Sequence, residues 1–168
     1  MIEFRPARLQ DDRDFILDMF LTRSWESASD IERRPGLNKY GALWLASPEA
    51  ESALRSVETS LGEAKTIADI VLVNRVPAGF VWATLEGEHY EEKYFRLRLV
   101  AFKLNFQRQG LGRVSIHHLE ELACERGAVA IRSTGSARSD GIRRFHDSVG
   151  FVSIETVYEK RLAARVGR

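Results

Sequence analysis

The chain has 168 residues, of which 44% are hydrophobic, 29% charged and 10% aromatic, enough apolar surface to offset chain entropy within one folded domain. Its 25 Lys and Arg against 24 Asp and Glu leave a formal charge of +1, without the basic excess of a nucleic-acid or anionic-membrane surface. The single Cys124 excludes an internal disulfide and a cysteine-rich zinc site. The densest apolar stretch, 67–85, is broken by Asn74, Arg75 and Pro77 short of membrane-spanning length, and the charged opening MIEFRPARLQ lacks the apolar core of a signal peptide, so a cytoplasmic location is expected.

The opening IEFRP alternates Ile2 and Phe4 with Glu3 and Arg5, which predicts a short strand stopped by Pro6. Phe15, Ile16, Met19 and Phe20 then recur at helical spacing, with Asp11 or Asp12 as the cap and fraying near Arg23. From Ser24 to Ala46 the pattern lapses: RRPG forces a turn, and Trp25, Tyr40 and Trp44 are scattered among polar residues, so a partly helical lid is expected. Ser47, Pro48 and Glu49 start a second helix, whose apolar face is Ala50, Ala53, Leu54, Val57 and Leu61 and whose stop is Gly62.

IADIVLV and AGFVWATLE read as strands joined by a tight turn at NRVP, and FRLRLVAFK as the third strand of an antiparallel meander. The stretch 110–126 is helical, with Val114, Leu119, Leu122 and Ala123 as its stripe and Cys124 expected in the core. AVAIRS then reads as a strand, SDGIRRFHDSV as a short helix and FVSIETVYEKRL as a final strand. Repeats, low-complexity tracts and linkers are absent, so one domain over 1–168 is expected.

The most informative segment is Gln107, Arg108, Gln109, Gly110, Leu111, Gly112, after a strand and opening a helix. Glycines there let a phosphate approach the backbone, and free amides at a helix start, aided by its dipole, attract an anion. Taken alone, the pair of glycines leaves a plain turn equally open. A P-loop is excluded because Arg113 and Val114 follow Gly112, and a dinucleotide fingerprint because Ser115 stands where its third glycine or alanine belongs.

With QRQGLG in that position, the chain resembles the GNAT superfamily of N-acetyltransferases, whose acetyl-CoA loop is Q/R-x-x-G-x-G/A. SDGIRRFHDSVGF is similar to that family's last helix and following strand, and FRPARLQDD to its opening. The resemblance implies an α/β fold with a mixed, mainly antiparallel sheet of six to seven strands flanked by about four helices. It implies acetyl transfer from acetyl-CoA, without a metal, to a small-molecule or peptide amine by direct attack. The backbone of Val100, Ala101 and Phe102 would run beside the pantetheine arm, and the amides of Arg108, Gln109, Gly110, Leu111, Gly112 and Arg113 would bind the pyrophosphate. It leaves room for a homodimer, since many relatives are dimers.

His146 stands where the family has a tyrosine that protonates the departing thiolate, chemistry an imidazole can perform; a surface histidine is the plain alternative. Ser139 stands where relatives place an asparagine that contacts CoA, although a helix cap explains it more simply. The family's strand glutamate, its general base, is missing: Arg96, Arg98 and Arg132 occupy those strands, and Glu86, Glu88, Glu91 and Glu92 read as a solvated turn. Arg96 and Arg98, two apart and so on one side of a strand, are expected either at a solvent edge or against an anionic group on the acceptor, with the amine deprotonated through water. His117 and His118 point in different directions and read as surface residues. The missing glutamate and tyrosine keep a second reading open, a catalytically idle acyl-CoA-binding sensor.

Overall fold

The computed structural model describes residues 1–87, 92–134 and 140–154. One sheet runs in the order β1 (Ile2–Pro6), β2 (Thr66–Val73), β3 (Val76–Glu86), β4 (Tyr94–Phe102) and β5 (Ala130–Ser133). The first three pairings are antiparallel and β4–β5 is parallel. Asn74 and Arg75 both adopt left-handed φ (51° and 68°), the backbone of a tight two-residue hairpin turn whose twist matches the strands it joins.

The helices are α1 (Leu9–Ser27), α2 (Asp30–Arg33), α3 (Leu37–Leu45), α4 (Pro48–Ser60), α5 (Leu111–Glu125) and α6 (Asp140–Ser148), with a short 3₁₀ turn at Leu104–Phe106. The described residues thus hold five strands and six helices, against the expected six to seven and about four. Two causes account for the difference. The lid is more regular than its composition suggested, and of the expected final strand 151–154 form no ladder while 155–168 lie outside the described residues.

The sheet is buried on both faces. On one, α5 covers Ile67, Val71, Val81, Phe95 and Leu97 with Ile116, Leu119 and Ala123; on the other, α1 and α4 cover Ile70, Phe80, Trp82, Leu99 and Ala101 with Ile16, Met19 and Val57. Fully buried side chains such as Phe80 and Phe95 each contribute roughly 1.5–3 kcal/mol. Trp82 Nε1 donates to the buried Ser60 hydroxyl at 3.1 Å, satisfying the indole beneath α4.

Four local expectations are corrected. Helix α1 does not fray near Arg23 but runs to Ser27, because Arg33 donates to the carbonyls of Trp25 (3.1 Å) and Glu26 (2.7 Å), while Tyr40 meets Ser24 and packs edge-on against Trp25. Asp12 lies inside α1 rather than at its cap, accepting from the Arg8 amide and pairing with Arg5 at 2.7 Å, which ties α1 to β1. In α5 the buried positions are Leu111, Ser115, Ile116, Leu119 and Ala123, a phase that turns Val114 outward and leaves Cys124 exposed. That phase also half-buries His118, whose Nε2 lies 2.8 Å from Asp69 and whose ring stacks on Phe4 at 3.8 Å, whereas His117 stays exposed.

Candidate active site

Strand β4 outruns its parallel partner. Its ladder with β5 ends at Leu97↔Ser133, yet β4 continues along β3 to Phe102, so among the described residues 98–102 carry no strand on their second side. Where the partner stops, β4 bulges: Trp82 faces Leu99 while Ala83 faces Leu97, leaving Arg98 as the extra residue. The bulge flips the alternation, so Leu97 packs under α5 and Leu99, two residues on, packs under α1. The freed edge of β4, with half of its backbone groups directed away from β3, becomes one wall of a cleft of about 560 Å³.

The floor of that cleft is the loop 107–112. Gln107 anchors it, its side-chain amide donating to the Phe102 carbonyl (3.0 Å) and to Glu26 of α1 (2.7 Å). Arg108 and Gly110 both take left-handed φ (62° and 81°), and successive reversals of this kind aim neighbouring amides into one concavity. The amides of Arg108, Gln109, Gly110, Leu111 and Gly112 donate to no acceptor among the described residues. They open α5, whose 15-residue dipole adds positive potential at the same point. Arg108 and Arg113 line the cleft beside them.

The two glycines have separate duties. Gly110 needs its left-handed backbone, and a Cβ there would meet nothing within 4 Å. At Gly112 a Cβ would lie 2.7 Å from Cε2 of Phe145, so that glycine is where α6 packs on α5. The Gln109 side chain folds back onto the Asn105 carbonyl at 2.9 Å and does not line the cleft.

Helix α6 brings His146 to the cleft beside β5, with Nε2 2.9 Å from the Ser133 hydroxyl and Phe151 edge-on to its ring. Burial, and after it the charge of Arg23, push the His146 pKa below its ordinary value despite Asp147, so the imidazole is mainly neutral near pH 7. Val100, Ala101 and Phe102 line the cleft, as does Arg98, whereas Arg96 does not. Ser139 lies outside the described residues.

The two strand arginines meet an anion within the protein. Glu86, at the end of β3 and only 26% exposed, takes Arg96 Nε on one oxygen (2.8 Å) and Arg98 Nη2 on the other (2.6 Å), with the Tyr94 hydroxyl at 3.0 Å. Glu86 is therefore no solvated turn residue. Burial acts to raise its pKa, but hydrogen bonds from Arg96 and Tyr94 and the charges of both arginines outweigh it, and the net shift is downward. A carboxylate held so acidic is a poor proton acceptor.

Sequence reasoning did not find Arg23, Glu26, Ser133 and Phe145, all of which line the cleft. Arg23 and Glu26 are three residues apart in a helical segment that sequence ended at Arg23. Among the described residues no group of three or more His, Cys, Asp and Glu could hold a metal ion, and no helix is long and apolar enough to cross a membrane.

The chain matches known proteins in family and in overall fold. Residues 25–151 match the acetyltransferase (GNAT) family, and the chain belongs to that family. Solved structures agree at the level of fold. A possible acetyltransferase from Clostridium difficile 630 superposes with a TM-score of 0.70 at 14% identity, over 97% of this chain and 99% of that one. An aminoglycoside acetyltransferase from an uncultured soil metagenomic sample, in complex with sisomicin, gives 0.66 at 15% over 98% and 97%. AAC(6')-Iy in complex with the bisubstrate analogue CoA-S-monomethyl-acetylneamine gives 0.66 at 16% over 98% and 99%. A search of curated proteins found no match.

Proposed function

We propose that this protein, as a single domain, transfers an acetyl group from acetyl-CoA to a primary amine by direct attack. The observation that carries the reading is the continuity of the β4 edge with five amides at the start of α5, both without a partner among the described residues, a path that suits an extended arm ending in a pyrophosphate. Acetyl-CoA supplies the activated thioester. The backbone of Val100, Ala101 and Phe102 lies alongside the arm and offers an N–H to the thioester carbonyl, fixing and polarising it. The amides from Arg108 to Gly112 hold the pyrophosphate, whereas that of Arg113, expected to join them, is already donated to the Gly110 carbonyl at 3.1 Å.

His146 manages the proton. Direct attack removes one proton from the amine and returns one to sulfur, and an imidazole that rests neutral can take the first at Nε2 and deliver it to the second. The downward shift from burial supports this order, since a resting imidazolium has no free nitrogen lone pair with which to accept a proton.

The test is to incubate purified protein with acetyl-CoA and a panel of polyamines, amino acids, aminoglycosides and peptide N-termini, measuring thiol release and the mass of the acetylated product. Thiol release coupled to an acetamide product is expected for at least one amine. CoA binding without turnover on any amine would favour the idle sensor instead.

A further inference from the structure

We infer that the acceptor carries an anionic group beside its amine and that Arg23 holds that group; the inference rests on the acetyl-transfer reading and names its substrate class. Arg23, one turn before the end of α1, is half-buried and lines the cleft, yet its guanidinium meets no carboxylate, carbonyl or hydroxyl among the described residues. Arg5, Arg96 and Arg98 each meet a carboxylate at 2.6–2.8 Å. A partly desolvated cation without a partner is unfavourable in the free protein, and an anionic ligand supplies what is missing.

The charge around the cleft points the same way. Four arginines line it, Arg23, Arg98, Arg108 and Arg113, against one carboxylate, Glu26. Arg108 and Arg113 flank the free amides and are matched by the phosphates proposed there. Arg23 and Arg98 are left over. Arg98 shares its one carboxylate with Arg96. The region between α1 and the β4 bulge is therefore cationic, which repels a polyamine or an aminoglycoside and attracts an amine that brings its own anion. The same cations disfavour the ammonium form of that amine, so the free base needed for attack is more populated, in a site where no strand carboxylate is available as a base.

The experiment compares matched acceptors: amino acids with their amides, O-phosphoethanolamine with ethanolamine, and sisomicin as the polycation, each with wild type, Arg23→Gln and Arg23→Lys. In wild type the anionic member of a pair is expected to have the higher kcat/KM by about tenfold or more, and sisomicin to be the poorest acceptor. Whichever pair shows the larger ratio separates carboxylate from phosphate. Arg23→Gln should bring the ratio to within about threefold of one and Arg23→Lys should keep part of it, while CoA affinity by calorimetry stays within about twofold. Equal use of both members, a preference for sisomicin, or loss of CoA affinity in Arg23→Gln would each overturn the assignment, the last giving Arg23 to CoA. Should no amine be acetylated, the proposed function itself fails, and calorimetry of an N-acetyl amino acid against its amide on the CoA-bound protein still decides: tighter binding of the acid, lost in Arg23→Gln, supports the anion site, and equal or absent binding overturns it.

Discussion

At the loop end of the cleft the available groups are main-chain amides, those of Arg108 to Gly112, fixed by two left-handed residues and the start of α5. At the other end they are side chains, Arg23 from α1, Arg98 from β4 and His146 from α6, assembled from segments more than forty residues apart. A main-chain site depends on conformation and tolerates most side chains. A side-chain site depends on identity and on the packing that brings distant helices together. Substitutions should therefore separate the two ends, the first kind changing CoA affinity and the second changing turnover and acceptor choice.

The largest effect on turnover is expected at His146. Replacing it with Phe should lower kcat by about ten- to a thousandfold with the KM for acetyl-CoA nearly unchanged, the signature of an interaction used only in the transition state, and Tyr should partly restore it. A Phe variant with wild-type kcat across the neutral range would return His146 to an ordinary packing role.

Next comes the joint between the ends. A Cβ at Gly112 would press on Phe145, the residue before His146, so Gly112→Ala should destabilise the protein by about 1–3 kcal/mol and reduce kcat as α6 shifts. Gly112→Ala with Phe145→Leu should recover most of the melting temperature. If Gly112→Ala instead lost only CoA affinity, Gly112 would belong to the phosphate contact and not to packing.

A smaller effect links Arg23 to His146. Because the Arg23 charge acts to lower the His146 pKa, Arg23→Gln should move the NMR titration midpoint of the His146 ring upward, toward its ordinary value. An unmoved midpoint would leave burial as the sole cause.

The smallest concerns Glu86. Its carboxyl is lowered in the folded protein, so the stability it contributes is present at neutral pH, above its unfolded pKa, and is lost as pH falls through the folded value. At its partial exposure the contribution is about 1 kcal/mol. The melting temperature of Glu86→Gln should thus lie below wild type near pH 7, and the gap should close on acidification below about pH 4. A gap independent of pH would assign the loss to packing around Tyr94.

This contrast also explains what the sequence made legible. QRQGLG was readable because a conformational requirement leaves a local mark: glycines at fixed spacing between a strand and a helix. The meander and the helical stripes were readable for the same reason, their periodicity being local. The bulge at Arg98 left no such mark, since Phe95 to Leu99 alternate apolar residues with arginine straight through it and 99–102 are all apolar, so only the register against β3 shows that the faces exchange. Arg23 was lost because α1 draws its last turn from Arg33 and Tyr40, contacts that no window around residue 23 contains. Glu86 read as solvated because its partners are ten and twelve residues away across a hairpin.

The most direct test of the loop end is calorimetric titration of CoA into wild type, Gly110→Val and Gly110→Asn. Open space around Gly110 means that a side chain costs nothing by contact, while its φ of 81° is one that valine adopts poorly and asparagine tolerates. Wild type should bind CoA, Gly110→Val should bind on the order of a hundredfold more weakly with the fold intact, and Gly110→Asn should fall between them. Equal CoA affinity in wild type and a folded Gly110→Val protein would contradict a phosphate site built from these amides.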